Sequence, residues 1–161
     1  MTGPHTDLAA HLCWSLRGGY AHCGMKAFTG VDWDTQARRA GDFPHSLWQL
    51  LEHLRICQRD LIDYSTVPGH VSPAFPDGLW PNEPAPPTGD AYDVALERYD
   101  EDREELCRLI AAGDLLAPLP NRATDGETHT LLRTATIALD HQAYHAGQAV
   151  ALRRVLGCWD D

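Results

Sequence analysis

Two imidazoles stand four residues apart in Leu139-Asp140-His141-Gln142-Ala143-Tyr144-His145-Ala146-Gly147-Gln148, inside an otherwise apolar helical stretch. Stepping outward by alternating threes and fours gives Leu131, Thr134, Ala138, His141, His145, Gln148, Leu152 and Val155, the kind of seam a bundle helix buries. A buried polar side chain left without a partner costs about 1–3 kcal/mol, so two core histidines one turn apart require partners. Side chains at i and i+4 lie above one another on a helix face, which lets both rings converge on a single ion. The alternatives are core histidines bonded to backbone, or surface histidines should the seam have another register. Catalytic zinc and related ions usually take three protein ligands and keep one position open, so a third donor has to come from a facing helix. His53 is the best candidate, although on its own it reads as a helix-flank histidine more readily than as a ligand. It lies in Ser46-Leu47-Trp48-Gln49-Leu50-Leu51-Glu52-His53-Leu54-Arg55, flanking a seam of Leu47, Leu50, Leu54, Cys57, Leu61 and Tyr64.

Neighbouring residues take supporting or ordinary roles. Gln148, one turn beyond His145, either orients a ligand or bound water or bonds across helices. Tyr144 is one residue off the seam and reads as packing or as a hydroxyl donor at the margin of the site. Cys57 reads as a buried small hydrophobe rather than a ligand. His22, His45 and His129 read as surface or boundary residues. His141-Gln142-Ala143-Tyr144-His145 has the spacing of the zinc-protease helix, but Gln142 stands where that motif needs a glutamate base, which excludes a protease of that class.

Pro44 through Arg55, taken with Asp140 through Gln148, resembles the DinB/YfiT superfamily of small bacterial four-helix metal-binding proteins, and the resemblance spans nearly the whole chain. The segment Val71-Ser72-Pro73-Ala74-Phe75-Pro76-Asp77-Gly78-Leu79-Trp80-Pro81 is similar to the loop of one uncharacterised branch of that family. The resemblance implies an up-down-down-up bundle and a divalent metal held by His53, His141 and His145, with water or substrate completing the coordination. It also implies self-association as a homodimer. Members with known activity include thiol S-transferases and maleylpyruvate isomerase, which use low-molecular-weight thiols. The expectation is therefore a small-thiol S-transferase or a hydrolase of small substrates. The alternative is a non-catalytic metal-binding stress-response or ligand-binding protein. Three imidazoles suit zinc, nickel and iron(II) alike.

The elements that position these residues read as all-α, a four-helix bundle with long crossover loops in one domain over residues 1–161. The first helix is expected from Asp7 to Arg17, capped by Thr6, with a helical or irregular stretch through Arg39 after it. The second starts at a capping box of Ser46 and Gln49 and runs to Ser65. The third covers Ala91 to Ala112, with Tyr92, Leu96, Tyr99, Leu106 and Ile110 inward and Gly113 as its stop. The fourth, carrying the histidine pair, runs from Leu131 to Leu156 and ends at Gly157. No strand-like alternation competes. The Val67–Gly89 loop holds most of the 11 prolines together with Phe75 and Trp80, and reads as an ordered cover at one end of the bundle.

Composition limits the partners. A chain of 161 residues with 43% hydrophobic content can bury one sizeable core. A formal charge of −10 works against nucleic-acid binding, where Lys and Arg supply most of the affinity. No apolar run is long enough to cross a membrane and the N-terminus lacks the pattern of a secretory signal, so the expected location is cytoplasmic. Cys13, Cys23, Cys57, Cys107 and Cys158 form no Cys-x-x-Cys pair and leave one over in any pairing, which favours reduced thiols.

Overall fold

The Ser46 hydroxyl accepts the Gln49 backbone N–H at 3.2 Å and the Gln49 side chain accepts the Ser46 N–H at 3.2 Å, so the capping box starts its helix as the sequence requires. The computed structural model describes residues 7–19, 24–123 and 126–159. Within them the helices are α1 (Leu8–Leu16), α2 (Trp33–Ala37), α3 (Leu47–Thr66), α4 (Ala91–Ala112) and α5 (Leu131–Leu156), with 3-10 turns at Gly24–Phe28 and Asp77–Leu79. The fold is an all-α bundle of α1, α3, α4 and α5. Asp7 caps α1, accepting from the Ala9 and Ala10 N–H groups, in place of Thr6, which lies outside the described residues, as do His22 and Cys23. Gly157 ends α5 at φ +73°, a left-handed conformation that glycine adopts without strain.

Two apolar clusters give the directions of the helices. One joins Leu50, Leu51 and Leu54 of α3 with Tyr92, Ala95 and Tyr99 of α4 and Ala146, Ala149 and Leu152 of α5. The other joins Ile62 of α3 with Leu106, Cys107 and Ile110 of α4 and Leu131, Ala135 and Ala138 of α5. Early α3 thus meets early α4 and late α5, so α3 and α4 run parallel and α5 runs against them. The Cys13 thiol meets the Cys107 carbonyl and Arg17 pairs with Glu104, so α1 runs against α4. The order is up-down-down-up.

A parallel α3–α4 pair needs a connection that returns along the bundle, about 30 Å for a 20-residue helix. Residues 67–90 provide it, and hydrogen bonds pin them to α3 in reverse order. His70 bonds Asp60 at 2.7 Å, the Leu79 carbonyl bonds His53 at 2.7 Å, the Pro81 carbonyl accepts from Gln49 at 3.1 Å and the Pro84 carbonyl accepts from Ser46 at 2.6 Å. The cover therefore runs the length of α3 and is not confined to one end. Trp80 docks, but Phe75 does not: it is 88% exposed.

Three further expectations need correction. The segment before α5 contains an antiparallel strand pair, β1 (Pro118–Arg122) and β2 (Thr128–Thr130), where no strand was expected. Its anchor is Asn121, whose amide donates to the Tyr64 and Val67 carbonyls and accepts the Gly69 N–H, tying the strand to the start of the crossover. Asn121→Ala removes all three bonds, and the expected loss is about 2 kcal/mol of unfolding free energy in a urea titration. On α5 the buried stripe departs from the expected seam: Val155 is 63% exposed while Arg153 is buried. The 3-10 turn at Gly24–Phe28 packs on that side, and the Arg153 guanidinium donates to the carbonyls of Ala27, Thr29 and Cys158. On α3, Ile62 and Ser65 replace Leu61 and Tyr64 as the buried positions, because a 3.5-residue seam drifts round a 3.6-residue helix.

Candidate metal centre

Between the two apolar clusters, α5 carries His141, Gln142 and His145 in succession. Gln142 faces α4, where its Oε1 accepts the Tyr99 hydroxyl at 3.0 Å, so the position that would carry a protease base is spent on helix packing. The histidines face α3. The rings of His141 and His145 lie 4.5 Å apart, and His53 lies 4.8 Å from each, with interplanar angles of 81–85° throughout. His53 and His145 are buried, His53 more fully than its place beside the seam suggested, because the crossover covers that flank of α3.

Hydrogen bonds set the tautomers. The His53 Nδ1–H donates to the Leu79 carbonyl at 2.7 Å, and the His145 Nδ1–H donates to Gln148 Oε1 at 2.7 Å. Each bond leaves the Nε2 lone pair of its ring free to act as a ligand, the arrangement in which the far nitrogen of a metal-binding histidine is held by an oxygen. One ring nitrogen from each of His53, His141 and His145 lies within 4.8 Å of the others, and the Nε2 atoms of His53 and His141 are 3.0 Å apart. Two nitrogens bound to one ion at about 2.0–2.1 Å stand about 2.8–3.4 Å apart across octahedral to tetrahedral angles, so the spacing of that pair suits a shared ion. Three histidines could hold a metal ion here.

The surrounding groups have defined positions. Gln148 bonds His145 within α5 and not across to another helix. Tyr144 is 62% exposed with its ring 4.9 Å from that of His145, at the margin of the site. Cys57 lies 3.5 Å from His53 Nδ1, but burial first and Asp60 second push its thiol up to about 12, so it remains a protonated thiol. His129 is not a free surface histidine at the start of a helix: it sits in β2, half-buried, with its Nδ1 3.1 Å from the Tyr64 hydroxyl. Two residues of the site escaped the sequence reading. Trp80 stacks on His53 at 3.7 Å and on His45 at 3.8 Å, which makes His45 part of the layer over the cluster rather than a boundary residue. Pro44 and Ser46 around His45 signalled only the helix start.

Burial works against protonation here. Burial, then the neighbouring His145 and His53, hold His141 down at about 3. Burial holds His145 at about 4, partly opposed by Gln148. His53 is lowered by burial, with the Leu79 bond opposing. The ordinary value is about 6.5, so below that pH the unfolded chain takes up protons that the fold refuses. The histidine contribution to stability is fully present above pH ~6.5 and is lost as pH falls toward these lowered values. In the metal-free protein the urea midpoint is expected to be flat from pH 8 to 7 and to decline continuously to pH 4, less steeply in His141→Gln. A midpoint that rises on acidification would contradict the burial of these rings.

Fold and cluster together define a helical-bundle protein able to hold a metal ion at mid-length. The chain belongs to the DinB superfamily, whose family model matches residues 25–149, from the 3-10 turn after α1 into the last turns of α5. A comparison with curated proteins finds no match. Among the described residues no helix is long and apolar enough to cross a membrane.

Proposed function

We propose that His53, His141 and His145 bind one divalent ion, zinc, nickel or iron(II), and that the protein is a metal-dependent enzyme acting on a small molecule, a thiol S-transferase or a small-substrate hydrolase. The observation that carries this reading is the commitment of the Nδ1 protons of His53 and His145 to Leu79 and Gln148, with His53 Nε2 beside His141 Nε2 and one ring nitrogen of each histidine within 4.8 Å of the others. An ion held by neutral imidazoles keeps its full charge, which acidifies a bound water or stabilises a thiolate of a low-molecular-weight thiol. The chain's own residues orient the ligands, Gln148 on one side and the Leu79 carbonyl on the other, while Trp80 shields His53 from water.

Metal analysis of the purified protein, followed by a thiol-transfer screen with and without chelator, tests this. Less than a few tenths of an equivalent of metal after growth in supplemented medium would overturn it. A second reading, a non-catalytic metal-binding or ligand-binding protein, is favoured by the Trp80 stack over His53, because an ion there would fasten α3, α5 and the crossover together. It predicts metal with no chelator-sensitive turnover.

Homodimer formation belongs to the same proposal. Val71 and Phe75, 85% and 88% exposed, stand on the crossover as large apolar groups without cover. The expected mass in light scattering at micromolar concentration is twice that of the chain, falling to one chain in Phe75→Asp. The free thiols Cys13, Cys57, Cys107 and Cys158 suit a reducing, cytoplasmic setting.

A further inference from the structure

A cleft of about 740 Å³ is bordered by α3, the start of the crossover, the strand pair and the first turn of α5. It is separate from the histidine cluster. α3 and α5 run in opposite directions, so Asp60, seven residues after His53, and Arg133, eight before His141, are both displaced from the cluster toward the same end of the bundle, by about 10–12 Å at 1.5 Å per residue.

Two exposed cations border this cleft, Arg122 and Arg133, and neither guanidinium has a hydrogen bond or ion pair among the described residues. Carboxylates are plentiful in a chain with 23 acidic and 13 basic residues, and Arg17, Arg55, Arg59 and Arg103 each pair with at least one. Asp60 is the sole carboxylate among the described residues bordering the cleft, and its Oδ1 accepts from His70 Nε2 at 2.7 Å rather than from either arginine. The Tyr64 hydroxyl and His129 Nδ1 are likewise occupied with each other, at 3.1 Å. A ligand therefore meets two accessible cations, each with five N–H donors, against one carboxylate already bonded elsewhere. Leu61, Pro73 and Ala123 add apolar wall, and the volume lies in the range of small-molecule sites.

We infer that this cleft binds a small organic monoanion, its carboxylate-type head on the Arg122 and Arg133 guanidiniums and its apolar body against Leu61, Pro73 and Ala123. The planar fork of a guanidinium matches a carboxylate, and one negative charge matches the excess of one cation over Asp60. A neutral molecule would leave both forks unused, and a dianion would exceed the positive charge of the wall. The chain's net charge of −10 repels anions at a distance, so recognition depends on these two arginines at contact. The anion site does not draw on Val71 and Phe75, which also border the cleft and are assigned above to the homodimer face.

Four probes separate the elements of this inference: 2-naphthoate, which has head and body, 2-naphthylmethanol, which lacks the charge, acetate, which lacks the body, and inorganic phosphate. Affinities are measured by calorimetry at low ionic strength on the protein as purified and after chelator treatment. The expected result is naphthoate tightest of the four, weakened by added salt and unchanged by chelator. Arg122→Gln and Arg133→Gln should each weaken naphthoate about fivefold and together abolish its binding, with the alcohol unaffected. Arg108→Gln, which removes the same charge from an exposed position on α4, should leave naphthoate binding unchanged. Alcohol or phosphate binding as tightly as naphthoate, or naphthoate binding undiminished in the double variant, overturns the inference. Naphthoate binding lost with the chelator also overturns it, because the carboxylate would then be a ligand of the ion. Naphthoate binding that survives in protein without metal counts against the metal centre alone.

Discussion

His145→Ala is expected to abolish metal binding. The substitution leaves His141 and His53 as two ligands and removes the ring that Gln148 holds in place. Purified protein should fall from about one equivalent of metal per chain to a background level, a larger loss than the ten- to hundredfold weakening typical of changes behind the ligands. Thermal unfolding gives a second measure. Adding zinc at about a hundred times its dissociation constant should stabilise the native protein by about 2.7 kcal/mol and leave the variant unmoved. Tyr144→Phe, at an exposed position beside the same ring, should keep the full equivalent. A full equivalent in His145→Ala, with unchanged melting, would return these three histidines to a purely structural role.

Trp80→Ala is expected to give the next largest effect and to act on both stability and the site. Its indole stacks on His53 and His45 and approaches His145 edge-on at 5.6 Å, so truncation uncovers three imidazoles at once. A fully buried aromatic costs about 3–5 kcal/mol on truncation to alanine; for this half-buried ring about 2–3 kcal/mol is expected in urea unfolding. Metal affinity should fall ten- to hundredfold, because the neighbouring Leu79 carbonyl that fixes the His53 tautomer loses its clamp. Trp80→Phe should recover most of both. Unchanged metal affinity in Trp80→Ala would mean that the stack covers His53 without orienting it.

The parts of this molecule that local sequence determines were readable. Helices α4 and α5 have the expected bounds, Ala91–Ala112 and Leu131–Leu156, because a glycine or proline-rich segment marks their ends and an apolar period runs between. His141 and His145 were readable as a pair because i and i+4 share a face in any α-helix. His53 was less readable: the capping box announced its helix, but on spacing alone it read as a helix-flank histidine, and the family resemblance carried its nomination. The supports of the site were not readable. Leu79 contributes through its carbonyl, which carries no residue-type signal, and Trp80 and His45 meet only because the crossover folds back along α3. The strand pair escaped for a local reason: Pro118-Leu119-Pro120-Asn121-Arg122 has no alternation to read, and its placement depends on Asn121 bonding groups more than fifty residues away. The exchange of Val155 for Arg153 likewise follows from a turn packed on α5 from elsewhere in the chain.

The return of the crossover along α3 divides labour between two kinds of chain. The three histidines reside on helices whose spacing the bundle core enforces, while the carbonyl that bonds His53 and the ring that covers it come from a segment with no long helix of its own. Apart from Trp80, the apolar layers of the bundle are built without that strap, so the surroundings of the histidines can vary while the helices that carry them persist. Grafting a different 67–90 segment into this bundle becomes a direct way to ask how much of the chemistry belongs to the frame.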